Sequence, residues 1–218
     1  MAERCTPCLC VFVKAPVPGQ VKTRLARDLG PGAALAAYRL LVERELDAIA
    51  LVEFPVELWV NGDSDNDTVK HWSGRYALPV RRQSSGNLGR KMLEAISSCC
   101  AAGRAGIVVG SDLPAVDASY VEQAARLLKE RDLVLGPAED GGFALIGMKT
   151  PVAALFSGID WGTDRVYRQT RNKAGRLGLS IGDLPMTWDV DTLADWQRFL
   201  DTLPEEAGSG LPSESRRR

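Results

Sequence analysis

Short apolar runs alternate with longer stretches of helical periodicity along this chain. "LCVFV" (9–13) is apolar on both faces, as in a central parallel strand. Pro31 sits at a favoured first helical position, and "AALAAYRLLVERELDAIA" then repeats apolar residues at helical spacing. "VELWV" (56–60) predicts a second strand, and "NGDSDND" (61–67) a polar turn into a short helix through His71 and Trp72. "YALPVRRQ" holds a third strand, followed by the helix "LGRKMLEAISSCCAAG", closed by Gly103. "AGIVVG" (105–110) is a fourth strand that stops at "SDLP". "VDASYVEQAARLLKE" predicts a helix capped by Asp117, and "DLVLGPA" (132–138) another strand. "DGGFALIGM" (140–148) reads as a tight turn and a strand, "TDRVYRQTRNKAGRLG" as a polar-faced helix. "LSIGDLP" is a late strand region, and "TLADWQRFLDTL" closes the pattern as an amphipathic helix.

Repeated strand–helix units without an internal repeat imply an α/β fold, with a mostly parallel sheet covered on both faces. The expectation is one domain over residues 1–203, followed by a tail, "PEEAGSGLPSESRRR" (204–218), of disordered composition. Ligands of such sheets collect at the carboxyl ends of the strands. Residues that follow strands are therefore the candidates for chemistry.

Composition narrows the classes. A length of 218 residues suits one α/β domain, and 45% apolar with 25% charged residues is ordinary for a globular chain. A formal net charge of −1 steers nothing toward nucleic acid or a membrane surface. No apolar run is long enough to span a bilayer, and "MAERCTPCLCVFVK" reads as a first strand instead of a signal peptide. The five cysteines, Cys5, Cys8, Cys10, Cys99 and Cys100, suit no disulfide framework. "CTPCLC" has the spacing of a zinc half-site, but no second half-site follows and His71 is the one histidine. Cys8 and Cys10 are expected on one side of a buried strand, and a reducing cytoplasm is the compartment they suit.

The stretch "VKAPVPGQVKTRL" (13–25) follows the first strand and ends near Lys-Thr. An ATPase phosphate loop needs a glycine next to its lysine. Here Gln20 and Val21 separate Gly19 from Lys22, and two prolines remove backbone N–H groups. That reading is rejected. Lys14, Lys22 and Arg24 beside a helix start still favour an anion, so the loop is read as one that holds phosphate with side chains.

Asp112 in "GSDLP" follows an apolar strand directly, where a carboxylate can hold Mg²⁺ or Mn²⁺ against a diphosphate; the plainer role is a turn cap. "GPAEDGGFALIG" (136–147) is either a hairpin turn or a turn that faces substrate. In "WDVDT", Asp189 and Asp191 lie two apart and point the same way in extended chain. Paired carboxylates call for a cation or a network, although one residue of the segment is expected to cap the last helix. With Asp112 they complete a candidate divalent site. "QSSGNLGRKM" (83–92) is a glycine-bearing loop that can meet a base, ribose or phosphate. Trp161 and Thr163 in "DWGTDRVY" are candidates for an acceptor pocket.

"KAPVPGQVKTRL", "LGRKM", "GSDLP", "GPAEDGGFALIG", "GIDWGTDRVY" and "WDVDTLADW" occur in this order. Together they resemble a family of bacterial glycosyltransferase-like proteins with the GT-A fold, once known as a domain of unknown function, some of whose members accompany arsenosugar or radical-SAM genes. The family is similar to 2-phospholactate guanylyltransferases and molybdenum-cofactor nucleotidyltransferases. The resemblance spans roughly residues 8–200 and departs from the family pattern at Asn87 and Lys91. It implies a three-layer α/β/α sandwich with a mostly parallel mixed sheet, the nucleotide-diphospho-sugar transferase fold. It implies a metal-dependent transferase, with glycosyl transfer to a small-molecule acceptor placed first. Nucleotidyl transfer with release of pyrophosphate, and nucleotide binding without turnover, are the alternatives. The expected partners are the nucleotide-activated donor and the acceptor, in a monomer or homodimer.

The catalytic candidates are Asp112, Lys22 and Arg24. The nucleotide is assigned to Lys14, Pro18, Gly19, Lys22, Thr23, Arg24, Gln83, Leu88, Gly89 and Ser111. The acceptor is assigned to Glu139, Asp140, Gly141, Gly142, Trp161 and Thr163, and Mg²⁺ or Mn²⁺ to Asp112, Asp189 and Asp191.

Overall fold

The computed structural model describes residues 6–203; Cys5 and the tail 204–218 lie outside the described residues. Strands and helices follow in the order β1 (Cys8–Lys14), α1 (Leu25–Ile49), β2 (Val56–Asn61), α2 (Asp67–Tyr76), β3 (Val80–Arg82), α3 (Leu88–Ala101) and β4 (Gly106–Val109). Then come α4 (Ala118–Leu127), β5 (Leu133–Pro137), β6 (Phe143–Met148), α5 (Ala153–Phe156), α6 (Val166–Arg176), β7 (Ile181–Asp183) and α7 (Leu193–Asp201). The strands form a seven-stranded sheet in the order β3-β2-β1-β4-β6-β5-β7. Among the described residues, only β6 runs antiparallel to its neighbours. The cause is local: a short turn joins β5 to β6 as a hairpin, whereas parallel neighbours need a crossover.

Each face of the sheet is covered by helices. On one side Leu9, Val11, Leu58, Ile107 and Val109 pack against Tyr38, Val42 and Leu46 of α1, Trp72 of α2 and Val121 of α4. On the other, Cys10, Val108, Leu135 and Ile146 pack against Met92, Ile96 and Cys99 of α3 and Leu155 of α5. Each large aliphatic side chain fully buried here is worth about 1.5–3 kcal/mol. Trp72 is also fully buried, and its Nε1 donates to Glu43 at 3.1 Å.

The expected caps form. The side chains of Asp117 and Thr192 accept backbone N–H bonds at the starts of α4 and α7, Thr192 within a capping box with Asp195. One boundary moves. Helical backbone begins at Leu25, breaks at Gly30 (φ 80°, ψ 159°) and resumes at Pro31. Proline has no N–H to lose at that break. Leu25 anchors the first turn in a cluster with Trp188 and Trp196, which ties the opening loop to the chain around α7. The four-residue α5 is too short to show a period in sequence. Cys8 and Cys10 face α3, as their spacing implies, and the sulfurs of Cys10 and Cys99 lie 3.4 Å apart in apolar core.

Candidate active site

β1 lies at the point where the chain changes direction. It leaves β1 toward β2 and β3 on one side and returns to β4 on the other. The carboxyl ends of β1 and β4 therefore border the crevice such sheets offer a ligand. Four segments surround it: the loop after β1, the loop after β4, the β5–β6 turn and the chain before α7.

The loop after β1 turns at Gly19 (φ 75°), with Gln20 N–H donating to Val17 O at 3.0 Å. Val21 is buried and pins the loop. Lys22 follows in the left-handed region at φ 46°, with Ala26 N–H on its carbonyl at 2.8 Å. That backbone costs a non-glycine residue on the order of 1–2 kcal/mol and needs compensation. The compensation is ionic. Lys22 Nζ lies 2.5 Å from Asp112 Oδ2 and 3.3 Å from Asp191 Oδ1, with the residue only 8% exposed. Burial lowers the lysine's pKa, but the two carboxylates more than offset this and leave it raised. Arg24 is exposed and reaches Asp191 Oδ2 at 3.4 Å.

The carboxylates are held from several directions. Glu45, buried in α1, accepts Leu113 N–H at 3.2 Å and so fixes the residue after Asp112. Its own carboxyl is pushed well above the usual range by burial and by Asp112. Tyr38 bonds the backbone of Lys14 where β1 ends, at 2.8 Å. Val190 N–H donates to Asp112 O at 3.2 Å, which brings Asp189 and Asp191 alongside Asp112. One oxygen from each of Asp112, Asp189 and Asp191 lies within 4.8 Å of the others. Burial, then the neighbouring Asp112, Asp191 and Asp140, push Asp189 up to about 6. An all-oxygen set of this size suits a hard divalent cation, whose ligands stand about 2.0–2.6 Å away, after a small closure.

Two cavities meet at these carboxylates. The larger, of about 480 Å³, is bordered by Lys14, Lys22, Thr23, Arg24, Gln83, Leu88 and Ser111. The smaller, of about 320 Å³, is bordered by Asp140, Gly142, Trp161, Thr163 and Asp189. Asp112, Asp191, Arg24 and Leu88 border both.

Five expected site residues stand outside both walls. Pro18 and Gly19 shape the turn behind Lys22. Gly89 packs beneath the Trp161 indole, where a Cβ would collide with the ring. Glu139 is engaged by Arg198 in two bonds of 2.8 and 3.1 Å. Gly141, expected with them in the acceptor group, also stands outside; it takes φ 85° against the backbone of Asp164. Thr163 caps locally as well, its hydroxyl donating to Asp160 O at 2.8 Å.

The sequence reading missed Phe12, Tyr38, Asn61, Lys91, Met92 and Phe143, all of which border a cavity. Phe12 and Phe143 belong to strands and Tyr38 and Met92 to helices that read as core. Lys91, one of the family departures, is the exception with a visible signal; its Nζ bonds Asn61 Oδ1 at 2.9 Å.

This sheet order and crevice define the α/β fold of nucleotide-diphospho-sugar transferases and nucleotidyltransferases. Within that class, the chain belongs to the family described as "Uncharacterized protein conserved in bacteria (DUF2064)", whose profile matches residues 46–163. No curated protein matches it. It is similar to a solved structure from Desulfovibrio desulfuricans G20, provisionally described as a nucleotide-diphospho-sugar transferase. Identity is 31% over 94% of this chain and 88% of that one, with a TM-score of 0.81. A cytidylyltransferase from Leptospira borgpetersenii shares the fold at 14% identity and a TM-score of 0.59, covering 88% of this chain and 83% of that one. A 4-diphosphocytidyl-2C-methyl-D-erythritol synthase from Anaerococcus prevotii does so at 10% and 0.58, covering 89% and 94%.

Proposed function

We propose that the protein is a metal-dependent transferase that uses a nucleotide-activated donor, with glycosyl transfer to a small-molecule acceptor as the leading reaction. The observation that carries this reading is the junction of two cavities at Asp112 and Asp191, one cavity ringed by cations and the other largely apolar. The 31% identical solved relative, described as a nucleotide-diphospho-sugar transferase, supports the donor class.

Lys14, Lys22 and Arg24 bind the donor phosphates. Asp112 and Asp191 hold Mg²⁺ or Mn²⁺, which supplies Lewis-acid stabilisation of the leaving diphosphate when bound. Lys22 stands between these same carboxylates, so its ammonium turns toward the phosphates as the donor enters. Asp189 borders the acceptor cavity alone, where its carboxylate is placed to accept a hydroxyl proton.

Thermal unfolding of the full chain with nucleotides and nucleotide-sugars, with and without Mn²⁺, tests the reading. A saturating ligand at about 100 times its Kd adds roughly 2.7 kcal/mol. At this length that is a rise of about 5 °C or more. A Mn²⁺-dependent rise with nucleotide-sugars, reduced in Lys22→Ala, is expected. A response to triphosphates alone would move the assignment to nucleotidyl transfer. No metal-dependent nucleotide effect would refute both.

A further inference from the structure

The two cavities carry opposite charge. Four cations border the larger one: Lys14, Lys22, Arg24 and Lys91. Of these only Arg24 also reaches the smaller, and its guanidinium is directed at Asp191. Lys22, with any cation held by Asp112 and Asp191, offsets the charge at the junction. Asp140 also borders the smaller cavity, where Arg24 is the one cation in the lining among the described residues. Gly142 N–H donates to its Oδ1 at 2.8 Å and fixes the carboxylate in place. Asp189 and Thr163 also border this cavity, and the remaining lining is largely apolar. Phe143 and Trp161 meet edge to face, with ring centroids 6.3 Å apart at 83°, and Phe12 and Met92 add to the surface. A volume of about 320 Å³ sits at the small end of the ligand-cavity range.

We infer that the smaller cavity takes an uncharged or cationic acceptor with a flat apolar body and discriminates against carboxylate and phosphate compounds. Its role as the acceptor cavity rests on the transferase reading above; the charge preference rests on the wall alone. A ring gains dispersion and edge contacts from Phe143 and Trp161. A hydroxyl or ammonium at its end finds Asp140 as an acceptor. An anion there meets a fixed like charge, which disfavours it. This preference favours transfer to a hydroxyl over transfer to a phosphate or acid.

Ligand-observed saturation-transfer NMR on the full chain with Mg²⁺ tests it, using 4-ethylbenzyl alcohol, 4-ethylbenzylamine and 4-ethylbenzoate as probes matched in shape. The alcohol and the amine are expected to bind, and the benzoate about tenfold more weakly, a gap of roughly 1.4 kcal/mol. Asp140→Asn should narrow that gap. Phe143→Ala should weaken the alcohol, while Phe143→Leu, which keeps apolar bulk, should retain most of it and separates loss of contact from loss of fold. Equal binding of benzoate and alcohol, indifference to Phe143→Ala, or no binding by any probe at millimolar concentration would overturn the inference. Nucleotide titrations on the same samples keep the two proposals apart. A lost nucleotide response with the probe preference intact refutes the transferase reading alone. The reverse outcome refutes the acceptor preference alone.

Discussion

Lys22 and Glu45 are the two charged residues buried at the site. Both act on the Asp112 loop. Lys22 neutralises the carboxylates, and Glu45 holds Leu113 N–H. Glu45 Oε1 has no partner and is sealed from solvent. A protonated carboxyl is the form such a place favours. The folded-state pKa of Glu45 is raised above its ordinary 4.5, so its stabilising contribution is complete below that pH and is lost as pH rises toward the folded value. Glu45→Gln keeps an acceptor for Leu113 and removes the titration. Chemical denaturation from about pH 5 to 8 is expected to show wild-type stability falling more steeply than that of the variant, by up to about 1.4 kcal/mol per pH unit. Parallel profiles would show that Glu45 ionises freely in the fold. Nothing in the sequence marked Glu45, which reads as one more polar position on a long helix. Its burial follows from the loop after β4 folding over α1.

At the scale of elements, the β5–β6 turn shows how a local signal serves two purposes. "AEDGG" is a hairpin turn, as Asp-Gly implies, closed by Ala138 N–H to Gly142 O at 3.1 Å. It also carries Asp140 and Gly142 to the wall of the smaller cavity. Gly141 is where the turn meets the start of α6. Its carbonyl accepts Tyr167 N–H at 2.9 Å, and its φ of 85° places any Cβ against the Asp164 backbone. Gly141→Ala therefore adds a backbone clash to left-handed strain and is expected to cost about 2–4 kcal/mol. A denaturant midpoint near wild type would contradict that packing. Most elements were legible because each has its own apolar run, period or cap: the β-rich "VELWV", Asp117 and Thr192. The break at Gly30 was half legible, since Pro31 announced a start but not the turn before it.

At the scale of the molecule, the sheet order converts separated motifs into one crevice. Asp112 was legible as a candidate because it follows a strand, and Asp189 and Asp191 because they lie two apart. Their convergence needed tertiary contacts that no local pattern encodes, such as Val190 N–H on Asp112 O. Phe12 and Phe143 were not legible. An aromatic side chain at a strand end looks the same in sequence whether it faces core or cavity. The opening loop was legible for charge and less so for shape: Lys22 reaches the junction, while Pro18 and Gly19 serve the turn. Metal-supported binding of a nucleotide at that junction is the claim on which the rest depends. Calorimetric titration of the full chain with the best-stabilising nucleotide-sugar, in Mn²⁺ and in chelator, for wild type and Asp112→Ala, tests it most directly. The account predicts binding that needs Mn²⁺ and weakens at least about tenfold, roughly 1.4 kcal/mol, in Asp112→Ala. Equal affinity in chelator, or an unaltered Asp112→Ala isotherm, would contradict it.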